Sequence, residues 1–165
     1  MLRPDLEKEL ERLHPAAFGW ALSCCAGDRR VAEDALQASY LKILDGRARF
    51  DGRSSFRTWV FGVVRRTAAE ERRRARIRWW LTWSLDNPPD PETALVRSET
   101  TRQLATALGG LPARQRAVLH LVFYQELTIA EAAAVLGVAL GTARTHYERG
   151  KAALRRLLVA EEDPT

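Results

Sequence analysis

The chain has 165 residues, 46% of them hydrophobic, with a net charge of +5 and a pI near 9.8. This is enough for one domain or two small ones with a packed core, and the basic balance favours an anionic partner such as nucleic acid or an acidic protein surface. The charged N-terminus MLRPDLEKELERLH has no apolar run of signal-peptide length, and no stretch reaches the roughly 20 apolar residues of a membrane span, so a cytoplasmic protein without membrane insertion is expected.

Helical spacing dominates, with no convincing strand. Leu6, Leu10, Leu13, Ala17 and Trp20 recur every three or four residues as one stripe, which Gly27 and Asp28 interrupt. Cys24 falls on that stripe and reads as a core residue; its neighbour Cys25 is too close in sequence for an unstrained bridge, and the absence of a disulfide framework fits a reducing compartment. VAEDALQASYLKIL (31–44) puts Leu36, Tyr40 and Ile43 on one helical face. Asp34, Gln37 and Leu41 lie off that stripe, and an acid, an amide and an exposed leucine suit a protein-binding face. Gly46 ends this helix, and RARFDGRSS (47–55) is a loop.

Ser54 or Ser55 can cap the next helix, in which Phe56, Trp59, Val60, Val63, Val64 and Thr67 form an apolar stripe. It runs into RRTAAEERRRARIR (65–78), with seven arginines against Glu70 and Glu71. Those acids can pair with Arg73, Arg74 and others but cannot neutralise all seven, so the segment favours an anionic partner. Gly62, Arg66, Ala69 and Arg73 share one side, and a glycine there admits a closely approaching backbone.

WWLTWSLDNPPDPE (79–92) is acidic, and Pro88, Pro89 and Pro91 forbid a continuous helix, so it reads as a linker. Trp79, Trp80 and Trp83 suit either stacking on unpaired bases or covering a domain seam. Asp90, Pro91 and Glu92 open a helix that runs to about Leu108 and stops at Gly109-Gly110. Pro112 opens another, through Tyr124. In TIAEAAAVLG (128–137), Thr128 and Glu131 match a capping box, and Gly137 sits at a left-handed C-terminal cap.

GTARTHYERGKAALRRLL (141–158) then has an apolar side, with Ala143, Tyr147, Leu154 and Leu157, and a polar, basic side. A short capped helix, a tight turn and a longer basic helix form a helix-turn-helix pattern, although a plain helical hairpin would share it. Arg144, Thr145, Glu148 and Arg149 face outward, where Arg can pair with guanine and Glu can accept from cytosine N4. Catalytic signatures are missing: His14, His120 and His146 are scattered, and Cys24-Cys25 lacks zinc spacing. Neither enzyme activity, cofactor nor metal is expected.

In this order, these segments resemble the extracytoplasmic-function (ECF) group of the bacterial sigma-70 family, over about residues 5–160. AEDALQASYLKIL, with Asp34 and Gln37 as D-x-x-Q, is similar to the region 2 helix that docks on the polymerase clamp. FDGRSSFRTWVFGVVRRTAAEERRR resembles the segment that melts and reads the −10 element. LP-x-x-QR at 111–116, L-T-I-x-E at 127–131, L-G at 136–137 and G-T-x-R at 141–144 resemble region 4.

The resemblance implies an all-α protein with region 2 at 1–78, a Pro-rich linker at 79–92 that threads toward the polymerase active site and RNA exit, and region 4 at 93–165. It implies −35 recognition by Thr142, Arg144, Thr145, His146, Glu148 and Arg149, and −10 contacts by Phe50, Gly62, Arg66 and Arg73. Phe50 lies in the loop that captures a flipped base in the family. Asp34, Gln37 and Leu41 would bind core RNA polymerase. The implied partners are the clamp of the β′ subunit, the β flap, double- and single-stranded promoter DNA, and an anti-sigma factor. Gly62 and Arg66 stand where the family often has Arg and Asn, Ala139 where it often has Ser, and His146 where Arg or Lys is usual, which bears on promoter sequence. No third domain is expected after EEDPT. Two other readings are a stand-alone LuxR-type regulator, suggested by T-x-R-T-H at 142–146, and an interaction protein that uses sigma-like surfaces without transcription.

Overall fold

The computed structural model describes the backbone of residues 3–82 and 106–161, and the side chains of 5–78 and 106–158. The proline-rich stretch, the helix start at Asp90–Glu92, Trp83 and the side chains of Trp79 and Trp80 lie outside the described residues.

The first three helices are α1 (Arg3–Cys24), α2 (Arg29–Leu44) and α3 (Phe56–Thr82). They pack on one another through the expected stripes: Leu10, Leu13, Ala17 and Trp20 of α1, Leu36 and Ile43 of α2, and Val60, Val63, Val64 and Thr67 of α3 are all buried. Asp28 is more than a helix breaker. Its carboxylate accepts from the Val31 backbone N–H at 3.0 Å and caps α2. Of the two candidate serines, Ser55 caps α3, its Oγ accepting from the Thr58 N–H at 3.1 Å. The α3 helix continues through Thr82, so the change of composition at Trp79 does not end it.

The second part has a helical turn at 106–109, then α4 (Ala113–Leu119), α5 (Ile129–Leu136) and α6 (Leu140–Glu161). The expected helix from Pro112 to Tyr124 divides: its last turn, His120–Tyr124, is π-helical. Hydrogen bonds of the wider i→i+5 kind are shown by Gln125 N–H to His120 O at 3.2 Å, a device that reorients side chains within a helix.

The turn between α5 and α6 follows its local chemistry closely. Thr128 Oγ1 accepts from the Glu131 N–H at 3.2 Å, and Glu131 Oε2 accepts from the Thr128 N–H at 2.8 Å, a reciprocal capping box. These bonds also hold the Glu131 carboxyl below its ordinary pKa. At the other end Gly137 adopts φ 64°, with its N–H on Ala134 O and the Val138 N–H on Ala133 O, a Schellman motif. Gly150 lets α6 lie close on α4, because a Cβ there would meet Leu119 Cδ1 at 3.1 Å. Replacing Thr128 with Ala is expected to cost about 1 kcal/mol of stability, read as a lowered urea midpoint by circular dichroism.

Candidate nucleic-acid interface

The helix-turn-helix presents one outward face. Ala143 is buried and Tyr147 half-buried, so α6 is fixed by its apolar side, and Thr142, Arg144, Thr145, Glu148 and Arg149 are left exposed. Thr145 Oγ1 donates back to Gly141 O at 2.9 Å, which leaves its lone pairs outward to accept. Ala139 supplies only its carbonyl at the start of α6, accepting from the Ala143 N–H at 3.0 Å. His146 differs from the other five: it is half-buried, and its Nδ1 is enclosed without a hydrogen-bond partner.

On α3, Arg66, Ala69 and Arg73 are exposed on one side, while Gly62 is buried. No second backbone approaches Gly62 among the described residues. Arg66 covers it instead, with Nη1 3.6 Å from where a Cβ would stand. Of the two acids in the arginine run, Glu71 pairs with Arg74 at 2.5 Å, but Glu70 turns away to Lys42 of α2 at 2.6 Å. Glu70 still lines the same cavity as Arg65, Arg66 and Arg73, with its charge shared with Lys42. Phe50 is 39% exposed in its loop and leans on Phe56 and Trp59, with ring centroids 5.5 and 5.4 Å away. Beside it lies an open cleft of about 340 Å³ lined by Arg49, Trp59, Val63 and Arg66. An aromatic wall with flanking arginines suits an unstacked base and its phosphate.

On α2, Gln37 and Leu41 are exposed, Leu41 at 54%, and half-buried Asp34 lies 3.7 Å from Arg30. The three residues follow one another at i, i+3 and i+7 along α2 and so share one face of that helix.

Cys25 is buried and Cys24 half-buried. Burial pushes the Cys25 thiol up to about 11 and that of Cys24 up to about 12, so both stay protonated at neutral pH and are poor nucleophiles. Among the described residues no cluster of three or more His, Cys, Asp or Glu side chains could hold a metal ion. Among them also, no helix is long and apolar enough to cross a membrane.

The junction between the two halves was not legible in the sequence. Gln125, 5% exposed, donates from Nε2 to Ala16 O of α1 at 3.2 Å and accepts at Oε1 from Arg57 of α3 at 3.3 Å. His120 packs against Trp20 with the rings tilted by 33° and centroids 5.4 Å apart, and stacks on Tyr124 at 5.3 Å. Burial alone lowers the His120 pKa to about 4, so the ring is neutral at physiological pH. Because the unfolded chain takes up this proton near pH 6.5, stability is full above that pH and falls as pH drops from about 6.5 to about 4. The expected loss is on the order of 2 kcal/mol after discounting for partial exposure, checked by comparing denaturation of the native chain and His120→Asn at both pH values.

Residues 10–84 match the family Sigma-70 region 2, and residues 101–154 match Sigma-70, region 4. The chain is 32% identical over 138 residues to the ECF RNA polymerase sigma factor SigX of Bacillus subtilis, covering 78% of this chain and 71% of SigX. It is also 32% identical over 145 residues to the ECF RNA polymerase sigma factor SigF of Caulobacter vibrioides, covering 84% and 75%. Its fold is similar to that of the sigma factor RpoE of Bartonella quintana, solved in complex with the anti-sigma factor NepR. The TM-score is 0.73 at 25% identity, over 93% of this chain and 96% of that one. With a helix-turn-helix at one end, an arginine-faced helix at the other and both sigma regions matched in order, the chain belongs to the ECF group of the sigma-70 family, the factors that direct promoter-specific transcription initiation by RNA polymerase.

Proposed function

We propose that this sigma factor divides its work between a region 2 domain at residues 1–78 and a region 4 domain at 93–165, joined by the linker at 79–92. Region 4 reads the −35 element as duplex. Thr142, Arg144, Thr145, Glu148 and Arg149 enter the major groove, with His146 at the edge of the contact. Region 2 holds the melted −10 strand. Arg66 and Arg73 take phosphates, Gly62 keeps room for the Arg66 side chain, and Phe50 stacks on a base drawn into the cleft beside Trp59. The Asp34–Gln37–Leu41 patch docks on the clamp of the β′ subunit of core RNA polymerase, and region 4 meets the β flap. An anti-sigma factor is the expected negative regulator, as its relative from Bartonella quintana has one bound. The chain works in the cytoplasm and supplies no catalytic group or cofactor of its own.

The observation that carries this reading is the pairing of two basic, polar faces in one chain: the outward side of α6, and the arginine side of α3, where Arg66 and Arg73 are exposed. Mixing the protein with core RNA polymerase and fragmented genomic DNA of its host, then mapping run-off starts, tests it. A small set of starts that share −35 and −10 sequences is expected. Operator binding by the isolated chain with no starts would instead favour a LuxR-type regulator.

A further inference from the structure

We propose that the arginine-lined cavity between α3 and α4 is a binding site for an oligophosphate, either a bare chain of phosphates or the polyphosphate of a nucleotide. The site stands apart from the sigma-factor reading and needs neither polymerase nor promoter to be tested. Only its consequence for the −10 strand rests on that reading.

The cavity has a volume of about 470 Å³, within the ~300–1,000 Å³ of small-molecule sites. Both walls are basic. Arg65, Arg66, Arg72 and Arg73 come from α3, and Arg114 and Arg116 from the first turn of α4. The one acid on the lining is Glu70, and Lys42 already shares its charge at 2.6 Å. Guanidinium groups gathered without matching carboxylates repel one another, and an anion of several charges relieves that repulsion better than a single carboxylate does.

The donors are open as well. Arg66, Arg73 and Arg114 make no hydrogen bond or ion pair among the described residues. Arg72 and Arg116 are each tied back to a backbone carbonyl, Cys24 O and Gly109 O, both at 3.2 Å. A carbonyl holds a guanidinium in place without cancelling its charge, and leaves the other N–H groups of the fork for phosphate oxygens. His146 of α6 also lines the cavity, and its enclosed Nδ1 has no partner, so a polar atom there is still unsatisfied.

The rest of the lining selects among anions. Ala69, Ala117, Leu136 and Val138 are small or aliphatic, and Trp20, the only Phe, Tyr or Trp on the lining, is 1% exposed. A single strand needs ring faces on which its bases can stack. Those lie at Phe50, Phe56 and Trp59, beside the other cleft. The cavity thus offers charge and forked donors without a base platform, which suits a string of phosphates better than unpaired nucleic acid. Arg66 lines both places. A ligand in the cavity therefore draws on a side chain that the −10 strand also uses.

Isothermal titration calorimetry of the full chain with tripolyphosphate, in magnesium-free buffer at physiological salt, tests the site. At that salt the Debye length is about 8 Å, so diffuse attraction to the basic surface is largely screened. One saturable site is expected, with orthophosphate at least about tenfold weaker. Arg114→Ala should weaken tripolyphosphate binding about tenfold, and Ala113→Glu, which sets a carboxylate on the α4 wall, by at least as much. Both positions are exposed at the start of α4, where a glutamate suits the helix, so both variants keep the fold. Arg76→Ala, on α3 but off the cavity lining, should leave affinity unchanged. ATP separates the two sources. Equal affinity for ATP and tripolyphosphate means that the site holds the phosphate chain alone, and ATP binding about tenfold tighter means that it holds a nucleotide. No saturable binding of either, wild-type affinity in both α4 variants, or an equal loss in Arg76→Ala would overturn the proposal. Run-off starts without calorimetric binding remove the site alone, whereas binding without starts keeps the site and counts against the proposed promoter contacts.

Discussion

Trp20→Ala should be the most destabilising single change in the first half of the chain, costing about 4 kcal/mol. Trp20 is 1% exposed and is the largest fully buried side chain among the described residues. It fills the space between α1 and α3, donates from Nε1 to Phe61 O at 3.0 Å, and packs against the tilted His120 ring at 5.4 Å. Truncation removes the transfer free energy of the indole and leaves a cavity that three packed helices cannot fully close. A domain of this size has about 5–15 kcal/mol in total, so the variant should be partly unfolded at 37 °C. Trp20→Phe separates the two contributions. It keeps most of the apolar fill and loses the hydrogen bond, and should cost about 1–2 kcal/mol. Urea denaturation followed by circular dichroism measures both. If the alanine variant loses less than about 1 kcal/mol, the region 2 core is held by something other than this contact.

The sequence was most legible where a local rule decides the outcome. The capping box at Thr128 and Glu131 and the left-handed cap at Gly137 are set within a few residues, and both form as expected. The stripes of α1 and α3 also needed only helical periodicity, because each helix has one side to bury. Site residues on exposed faces followed from the same periodicity: once Ala143 and Tyr147 point inward, Arg144, Thr145, Glu148 and Arg149 point outward.

What escaped depends on distant partners. Glu70 has Arg66, Arg73 and Arg74 three or four residues away, yet it pairs with Lys42, 28 residues away, because Lys42 Nζ is already placed beside Thr67 by the packing of α2 on α3. Gly62 suggested an approaching backbone, and only packing could show that Arg66 takes that space. Gln125 carries no local signal at all. Its role comes from Ala16 and Arg57, more than sixty residues upstream. The π-helical turn at His120–Tyr124 likewise answers to the junction, since it precedes Gln125 and presents His120 to Trp20. Periodicity and capping thus reveal elements and their wet faces, whereas contacts between the two halves are settled by tertiary packing.

The double variant Arg144→Ala/Arg149→Ala should lower holoenzyme affinity for a −35 duplex by about 100-fold or more while leaving the fold intact, and its two halves should behave differently. Arg144 lies near the start of α6, the end of a recognition helix that reaches base edges, and it is exposed with no ion pair among the described residues. Its loss should cost about 1–3 kcal/mol on the preferred sequence, and much less on a duplex changed at the one base pair it reads. Arg149 lies further along, beyond Glu148, where the helix climbs out toward the phosphates. Its loss should weaken all sequences alike and reduce the salt slope by about one. Neither side chain is buried, so thermal stability should change by less than about 0.5 kcal/mol. Anisotropy titrations on a panel of singly altered −35 duplexes at several salt concentrations separate the two roles. A uniform loss for Arg144→Ala would make it a phosphate contact and move base reading to Thr145 and Glu148. Thr145 can accept with its free lone pairs, and Glu148 can accept from a cytosine amine. The specificity of this helix would then rest on acceptors, and the preferred −35 element would be rich in exocyclic amines.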